Sequence, residues 1–217
     1  MPNGAALNFE GALEDARKNW LNWKDVYSHE GDIAQNPILA SRLHFGCFLW
    51  EYGVTRTVKA GHGEALQRSM RSHSPLHAAI EAGDSRNVAG SAHDLSPRFA
   101  PYARNTFGLL SLVSKVAAFC RPSKFIAWDT FGRRGLAIML DHPGSRFDAI
   151  KDRVEAYALF QEKARTLAAE DSWWGPDNGR AVDAVAARLS APPIAFRLRV
   201  LDLLAMRQGG WVDRAPA

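Results

Sequence analysis

An all-α fold is predicted, and three observations predict it. No stretch shows sustained period-two alternation of apolar and polar residues. No Asn-Gly or Asp-Gly pair joins β-branched runs, so a hairpin has no signal. The chain instead reads as helical segments separated by punctuators such as Asn36-Pro37, Gly83 and His142-Pro143-Gly144.

Taken in order, residues 9–27 form a first helix, broken at Ser28-His29-Glu30-Gly31-Asp32. A second runs from Ile38 to Val58, with Pro37 suited to its first turn. Residues 63–82 form one or two helices, interrupted near Pro75. Gly83 to Tyr102 carries Gly83, Gly90, Pro97 and Pro101, which predicts helix fragments and loop. Arg104 to Cys120 is a strongly apolar helix, followed by the connection Arg121-Pro122-Ser123-Lys124. The next helix starts at Asp129 and ends before His142-Pro143-Gly144. Residues 146–169 read as one long amphipathic helix, and Asp171 to Gly179 as a loop. Two last helices cover 180–190 and 193–208. The pattern amounts to roughly eight to ten helices. No internal repeat or low-complexity segment appears.

A chain of 217 residues suits one all-helical domain over 1–217, or two closely packed helical lobes with an active site between them. The charge of +4 permits an anionic partner without demanding one. Two cysteines, Cys47 and Cys120, exclude a zinc knuckle, an iron–sulfur cluster and a disulfide framework. Both lie in apolar runs, where buried thiols are expected. A reducing cytoplasm fits this usage. Residues 1–20 hold no apolar core of signal-peptide length, and the apolar runs 45–50 and 109–120 are too short to span a bilayer. No membrane role, metal or cofactor is expected, and a monomer is.

The informative segment is 104–134. Lys115 is the only charge between Arg104 and Arg121. On a helical wheel Leu109, Leu112, Val113, Val116 and Cys120 share one face, with Lys115, Ser111, Ser114 and Ala118 on the other. The plain reading is a solvated lysine on the polar face of a core helix. The functional reading is an amine beside an apolar wall, where desolvation favours the neutral, nucleophilic form. Asp129 opens the next helix, where an N-cap accepting from Phe131 or Gly132 is its plain role. A carboxylate fixed at a helix N-terminus also suits stabilising a cationic transition state or orienting a water. Arg121, Lys124, Arg133 and Arg134 surround the two residues in sequence, as a solvated face or as phosphate contacts.

Ser114-Lys115-Val116-Ala117, a short connection, and then Phe125-Ile126-Ala127-Trp128-Asp129-Thr130 resemble the catalytic stretch of helix-hairpin-helix DNA glycosylases, most closely the 8-oxoguanine DNA glycosylase branch. The resemblance covers about thirty residues, and the rest only in its helical character. It implies a helical bundle of that type and places Lys115 on the family's Schiff-base lysine and Asp129 on its catalytic aspartate. The family's Leu-Pro-Gly-Val-Gly hairpin is reduced to Thr106-Phe107-Gly108-Leu109, a degenerate hairpin. Its Pro-Val before the aspartate is Ala127-Trp128, and the His two residues further on is Phe131.

The implied reaction flips a modified base out of duplex DNA and cleaves its glycosidic bond. Asp129 would stabilise the charge that develops on the sugar. Lys115 would attack the anomeric carbon or only contact DNA. The shortened connection favours simple base removal, leaving an abasic site. The degenerate hairpin and Trp128 imply a pocket that diverges from the family's, which points to a non-standard base such as a modified cytosine in phage DNA, and so to defence in a bacterial cytoplasm. The alternatives are an 8-oxoguanine repair glycosylase/lyase and a non-catalytic helical DNA- or protein-binding module.

Trp128, Phe131, Trp173 and Trp174 are the candidates for stacking on a flipped base, with packing onto the core as the competing role of the Trp173-Trp174 pair. Trp20, Trp23 and the run Phe45 to Trp50 read as core. His73 and His77 have i,i+4 spacing, but Pro75 between them and the lack of a nearby carboxylate argue against a metal site. Arg68, Arg71, Arg197 and Arg199 read as ordinary solvated charges, with a widened basic surface as the competing role.

Overall fold

The structure is a computed structural model, and it describes residues 8–27, 37–39, 42–51, 62–99, 108–141 and 146–210. Among these residues the protein is all-helical, with twelve helices and no strand. No helix among them is long and apolar enough to cross a membrane. The chain divides into two units, one of Met1–Asn22 with Trp128–Ala217 and the other of Trp23–Ala127. The predicted breaks at Ser28–Asp32 and His142-Pro143-Gly144, the extension of the second helix to Val58, and Thr106-Phe107 of the degenerate hairpin lie outside the described residues.

The Trp23–Ala127 unit contains α2 (Arg42–Glu51), α3 (Gly63–Arg71), α4 (Ser74–Ala82), α5 (Ser85–Phe99) and α6 (Gly108–Cys120). Pro75 does not merely interrupt a helix: it sits in the first turn of α4, where its missing N–H costs nothing. Gly83, at φ 72, ends α4 in the left-handed region, and the Asp84 N–H reaches back to the Ala79 carbonyl at 2.9 Å. The Asp84 carboxylate then accepts from the Asn87 N–H at 3.1 Å and starts α5.

The predicted fragments over 83–102 are corrected here, because α5 runs unbroken to Phe99. Pro97 falls in its last turn, so the ladder loses only one bond, near the helix end. Val88, Ala92, Leu95 and Phe99 recur at helical spacing and are buried, and α5 packs against both α4 and α6. Each of the larger ones contributes about 1.5–3 kcal/mol of burial.

In α2, Phe45, Phe48 and Leu49 face inward, and the Phe48 ring meets Phe119 edge-on at 5.8 Å. Gly46, Cys47 and Trp50 lie on the opposite face. Trp50 is 78% exposed and Cys47 is exposed, so neither belongs to the core as the run of apolar letters suggested. Helical periodicity splits that run into two faces.

The other unit holds α1 (Phe9–Tyr27) up to Asn22, then α7 (Thr130–Met139), α8 (Arg146–Ala149), α9 (Arg153–Ala169), α10 (Asp171–Trp174), α11 (Pro176–Arg188) and α12 (Pro193–Gln208). α12 is its centre: nine of its residues from Ala195 to Ala205 are buried, and it packs against α7, α9 and α11. α1 meets it through Trp20, edge-on to Phe196 at 5.8 Å, and through an ion pair of Asp15 with Arg207.

Two predicted boundaries in this unit are corrected. The long helix over 146–169 is two, because the Asp152 carboxylate accepts from the Val154 and Glu155 N–H groups and begins α9 afresh. The predicted loop over 171–179 is the short α10 and the first turn of α11, with Gly175 at φ 72 between them and Pro176 in the first turn of α11.

Candidate functional site around Asp129

Asp129 is the N-cap of α7, in extended conformation at φ −133 and ψ 175. Its Oδ1 accepts from the Gly132 N–H at 2.7 Å, and its carbonyl accepts from the Arg133 N–H at 3.1 Å. The residue is half-buried, and its Oδ2 accepts no hydrogen bond among the described residues. One carboxylate oxygen is therefore fixed on the free N–H groups of the helix, and the other is left available.

α7 is held rigidly behind this cap. Gly132, Gly135, Leu136, Ala137 and Met139 form its buried face, which lies on α12. Gly135 and Gly209 bring the two backbones together: a Cβ on Gly135 would overlap the Ala205 carbonyl, and one on Gly209 the Phe131 carbonyl. The outer face carries Thr130, Phe131, Arg134 and Ile138, all exposed.

Trp128, immediately before the cap, is 4% exposed. Its ring meets Tyr157 at 5.7 Å and Phe160 at 5.2 Å, both edge-on, and Phe160 in turn meets Phe147. Burial pushes the Tyr157 phenol above its ordinary range, opposed by the charge of Arg165. As a stacking platform for a base, Trp128 is corrected to a core residue. Tyr157 and Phe160 of α9 already pack against its ring.

Arg133 is corrected likewise. Its Cζ lies 4.6 Å from the centroid of the Trp128 ring, its Nε donates to Asp148 Oδ1 at 2.8 Å, and its side chain is 14% exposed. A guanidinium so engaged is not a free phosphate contact. Arg134, one residue on, is exposed.

Trp174 is 2% exposed, and its indole N–H donates to the Ala168 carbonyl at 3.2 Å. Trp173 is half-buried and stands edge-on to Trp174 at 4.9 Å. Trp174 thus serves the core; the polar letters around it concealed a helical turn that points it inward. Phe131, 37% exposed, is the aromatic candidate that offers a surface beside Asp129.

Lys115, Arg121 and Lys124 belong to the other unit. Lys115 is half-buried on α6. Of the small residues that share its face, Ser114 is fully buried, with its Oγ donating to the Ser111 carbonyl at 2.9 Å, and Ser111 and Ala118 are half-buried. Arg121 pairs with Glu81 of α4. Lys124 is exposed at the end of the turn after α6, where its N–H donates to the Arg121 carbonyl at 2.9 Å. His77 Nε2 lies 3.1 Å from the Met70 carbonyl and 3.2 Å from that of Arg71, at the end of α3. Among the described residues no group of three or more His, Cys, Asp or Glu is arranged to hold a metal.

The residues that sequence reasoning missed are Asp148, Tyr157 and Phe160, which fix Trp128 and Arg133 from α8 and α9. No local signal marks them, because their partners are 15 to 32 positions away in the chain. Compared with family models, with curated proteins and with solved structures, the chain matches none.

Proposed function

We propose that this protein is a DNA glycosylase that flips out and excises a modified base, leaving an abasic site. The observation that carries the reading is the Asp129 carboxylate, anchored through Oδ1 on the Gly132 N–H with Oδ2 unengaged among the described residues. As the glycosidic C–N bond breaks, its electron pair leaves with the base, and positive charge builds on the sugar. A pre-oriented carboxylate stabilises that charge without reorganising. A water then bonds to the anomeric carbon and gives up its proton, and the departing base takes one up. Asp129 is suited to orient that water. Lys115 serves as the nucleophile of a lyase branch or as a DNA contact. Phe131 is the aromatic suited to meet the flipped base, and Arg134 and Lys124 are the exposed cations suited to phosphates.

The proposed substrate is a non-standard base, a modified cytosine in phage DNA, met by a monomer in a bacterial cytoplasm. Oxidised guanine is the alternative that the 8-oxoguanine branch implies. A second reading, a helical binding module without catalysis, is favoured by one observation: the Asp129 cap on Gly132 is by itself a complete structural role.

The test counts abasic sites made by wild type and Asp129→Asn on three matched DNAs: unmodified, oxidised, and phage DNA with modified cytosines. Abasic sites from wild type alone, on one DNA class, are the expected result. Wild type that binds DNA and releases no base establishes the binding module.

A further inference from the structure

We infer that Arg133 is a positioning residue for Asp129 and makes no contact with DNA; the inference rests on the base-excision reading. The residue four positions after Asp129 is tied to it twice. Through its backbone, the Arg133 N–H donates to the Asp129 carbonyl. Through its side chain, the guanidinium lies over the ring of Trp128, the residue just before Asp129. Backbone and side chain of Arg133 thus bracket the aspartate from both sides.

The bracket is anchored outside α7. Asp148 of α8 accepts from Arg133 Nε, and Arg153 of α9 stands 3.8 Å from the same carboxylate oxygen. Tyr157 and Phe160 of α9 hold the Trp128 ring edge-on. A planar guanidinium suits this place better than an ammonium, because it can lie against a ring and still donate from its edge to a carboxylate. With residues 128 and 133 both fixed, the extended backbone of Asp129 is held at one setting. Its Oδ1 stays on Gly132, and its Oδ2 keeps one direction. Arg133 Nε is already committed to Asp148, and only 14% of the side chain is exposed to a phosphate.

The experiment compares full-length wild type with Arg133→Met and Arg133→Lys. Single-turnover base release is measured on a duplex carrying 8-oxoguanine and on one carrying 5-hydroxymethylcytosine. DNA affinity is measured against salt, and the Gly132 amide is followed by NMR. Arg133→Met is expected to slow base release about tenfold or more, the scale of a misplaced catalytic group. DNA affinity and its salt dependence should stay unchanged. The Gly132 amide resonance should move, and Arg133→Lys should recover only part of both effects. An unchanged release rate with an unmoved Gly132 resonance overturns the proposal. So does weaker binding whose salt slope falls by about one counterion, the mark of a lost phosphate contact.

If wild type releases neither base, the excision reading fails for those bases and the Gly132 resonance alone decides the bracket. Movement in Asp148→Asn, a substitution remote from Gly132 in sequence, then supports it, and constancy overturns it. Should Arg133→Met not fold, Asp148→Asn carries the same comparison.

Discussion

Gly135 of α7 lies directly against the Ala205 carbonyl of α12, so closely that no side chain fits between them. Backbone stands on the far side of this contact, so nothing flexible can give way. Gly135→Ala is expected to lower stability by at least about 1–3 kcal/mol, the range for overpacking. Gly209→Ala, which meets the Phe131 carbonyl, should act in the same direction. Gly90 of α5 provides the control, since a Cβ there meets nothing within 4 Å. Gly90→Ala should stabilise by about 0.5–1 kcal/mol through helix propensity. Urea midpoints of the three variants test the ordering.

Asp129 permits a clean separation of cap from chemistry. Asn caps a helix as well as Asp does, so Asp129→Asn should keep the bond to the Gly132 N–H and leave stability within about 0.5 kcal/mol of wild type. Asp129→Ala loses the cap and should cost about 1 kcal/mol. Under the glycosylase reading both variants lose base release. Loss of folding in Asp129→Asn would instead assign the carboxylate a structural role that an amide cannot fill. Thermal melts and abasic-site counts on the same preparations give the answer.

These two residues also show what is legible in a sequence. The Asp129 cap could be read because an N-cap bonds three residues ahead, and the break at Pro75 because φ is a property of one residue. The break at Asp152 follows the same local rule, yet the apolar pattern runs across it and hides it. Arg133 could not be read, since a partner 15 positions away turns an apparently free cation into an engaged one. Trp174 was obscured by its polar neighbours, and Trp50 by its apolar ones. Burial depends on which face of a helix meets the rest of its unit, and the close approach at Gly135 depends on a helix some seventy positions further on.

Ser190 closes α11 in the left-handed region at φ 54, with its N–H on the Ala187 carbonyl and the Ala191 N–H on that of Ala186. This is the position that glycine fills without penalty. A residue with a Cβ pays roughly 1–2 kcal/mol there, partly offset by the greater chain entropy glycine loses on folding. Ser190→Gly should therefore stabilise by about 0.5–1 kcal/mol. Ser190→Val, branched at Cβ, should destabilise. Calorimetric midpoints for the pair decide it.

Arg197 of α12 ties three helices together. Its Nε and Nη2 donate to the Asp183 carboxylate of α11 at 2.9 and 2.7 Å, and its Nη1 donates to Asp171 of α10 at 2.6 Å. The Asp183 hydrogen bonds foremost raise its pKa, so it stays charged at every accessible pH. Asp171 is 84% exposed, so its share is screened by solvent. Arg197→Lys cannot hold the two-pronged geometry and should cost about 1 kcal/mol. The loss should shrink in high salt only in so far as Asp171 contributes. Denaturation of Arg197→Lys and Asp171→Asn at two ionic strengths separates the contributions.

Two buried acids bear on the stability of the fold at alkaline pH. Although Cys120 keeps partial exposure as a residue, burial of its thiol pushes the pKa up to about 12 from an ordinary 9.0. The Tyr157 phenol is raised by burial in the same way. In each case the unfolded chain releases its proton first, so the stability these groups lend is complete below the unfolded pKa. For Cys120 it falls as pH rises from 9.0 toward about 12. Cys120→Ala should flatten the alkaline limb of a stability–pH curve and leave the neutral region shifted only by the lost packing. The same burial predicts labelling order, because the thiolate is the reactive form. A thiol reagent at neutral pH should modify the exposed Cys47 quickly and reach Cys120 only as the protein unfolds. Equal rates at the two cysteines in the folded protein would remove the burial argument and the alkaline prediction with it.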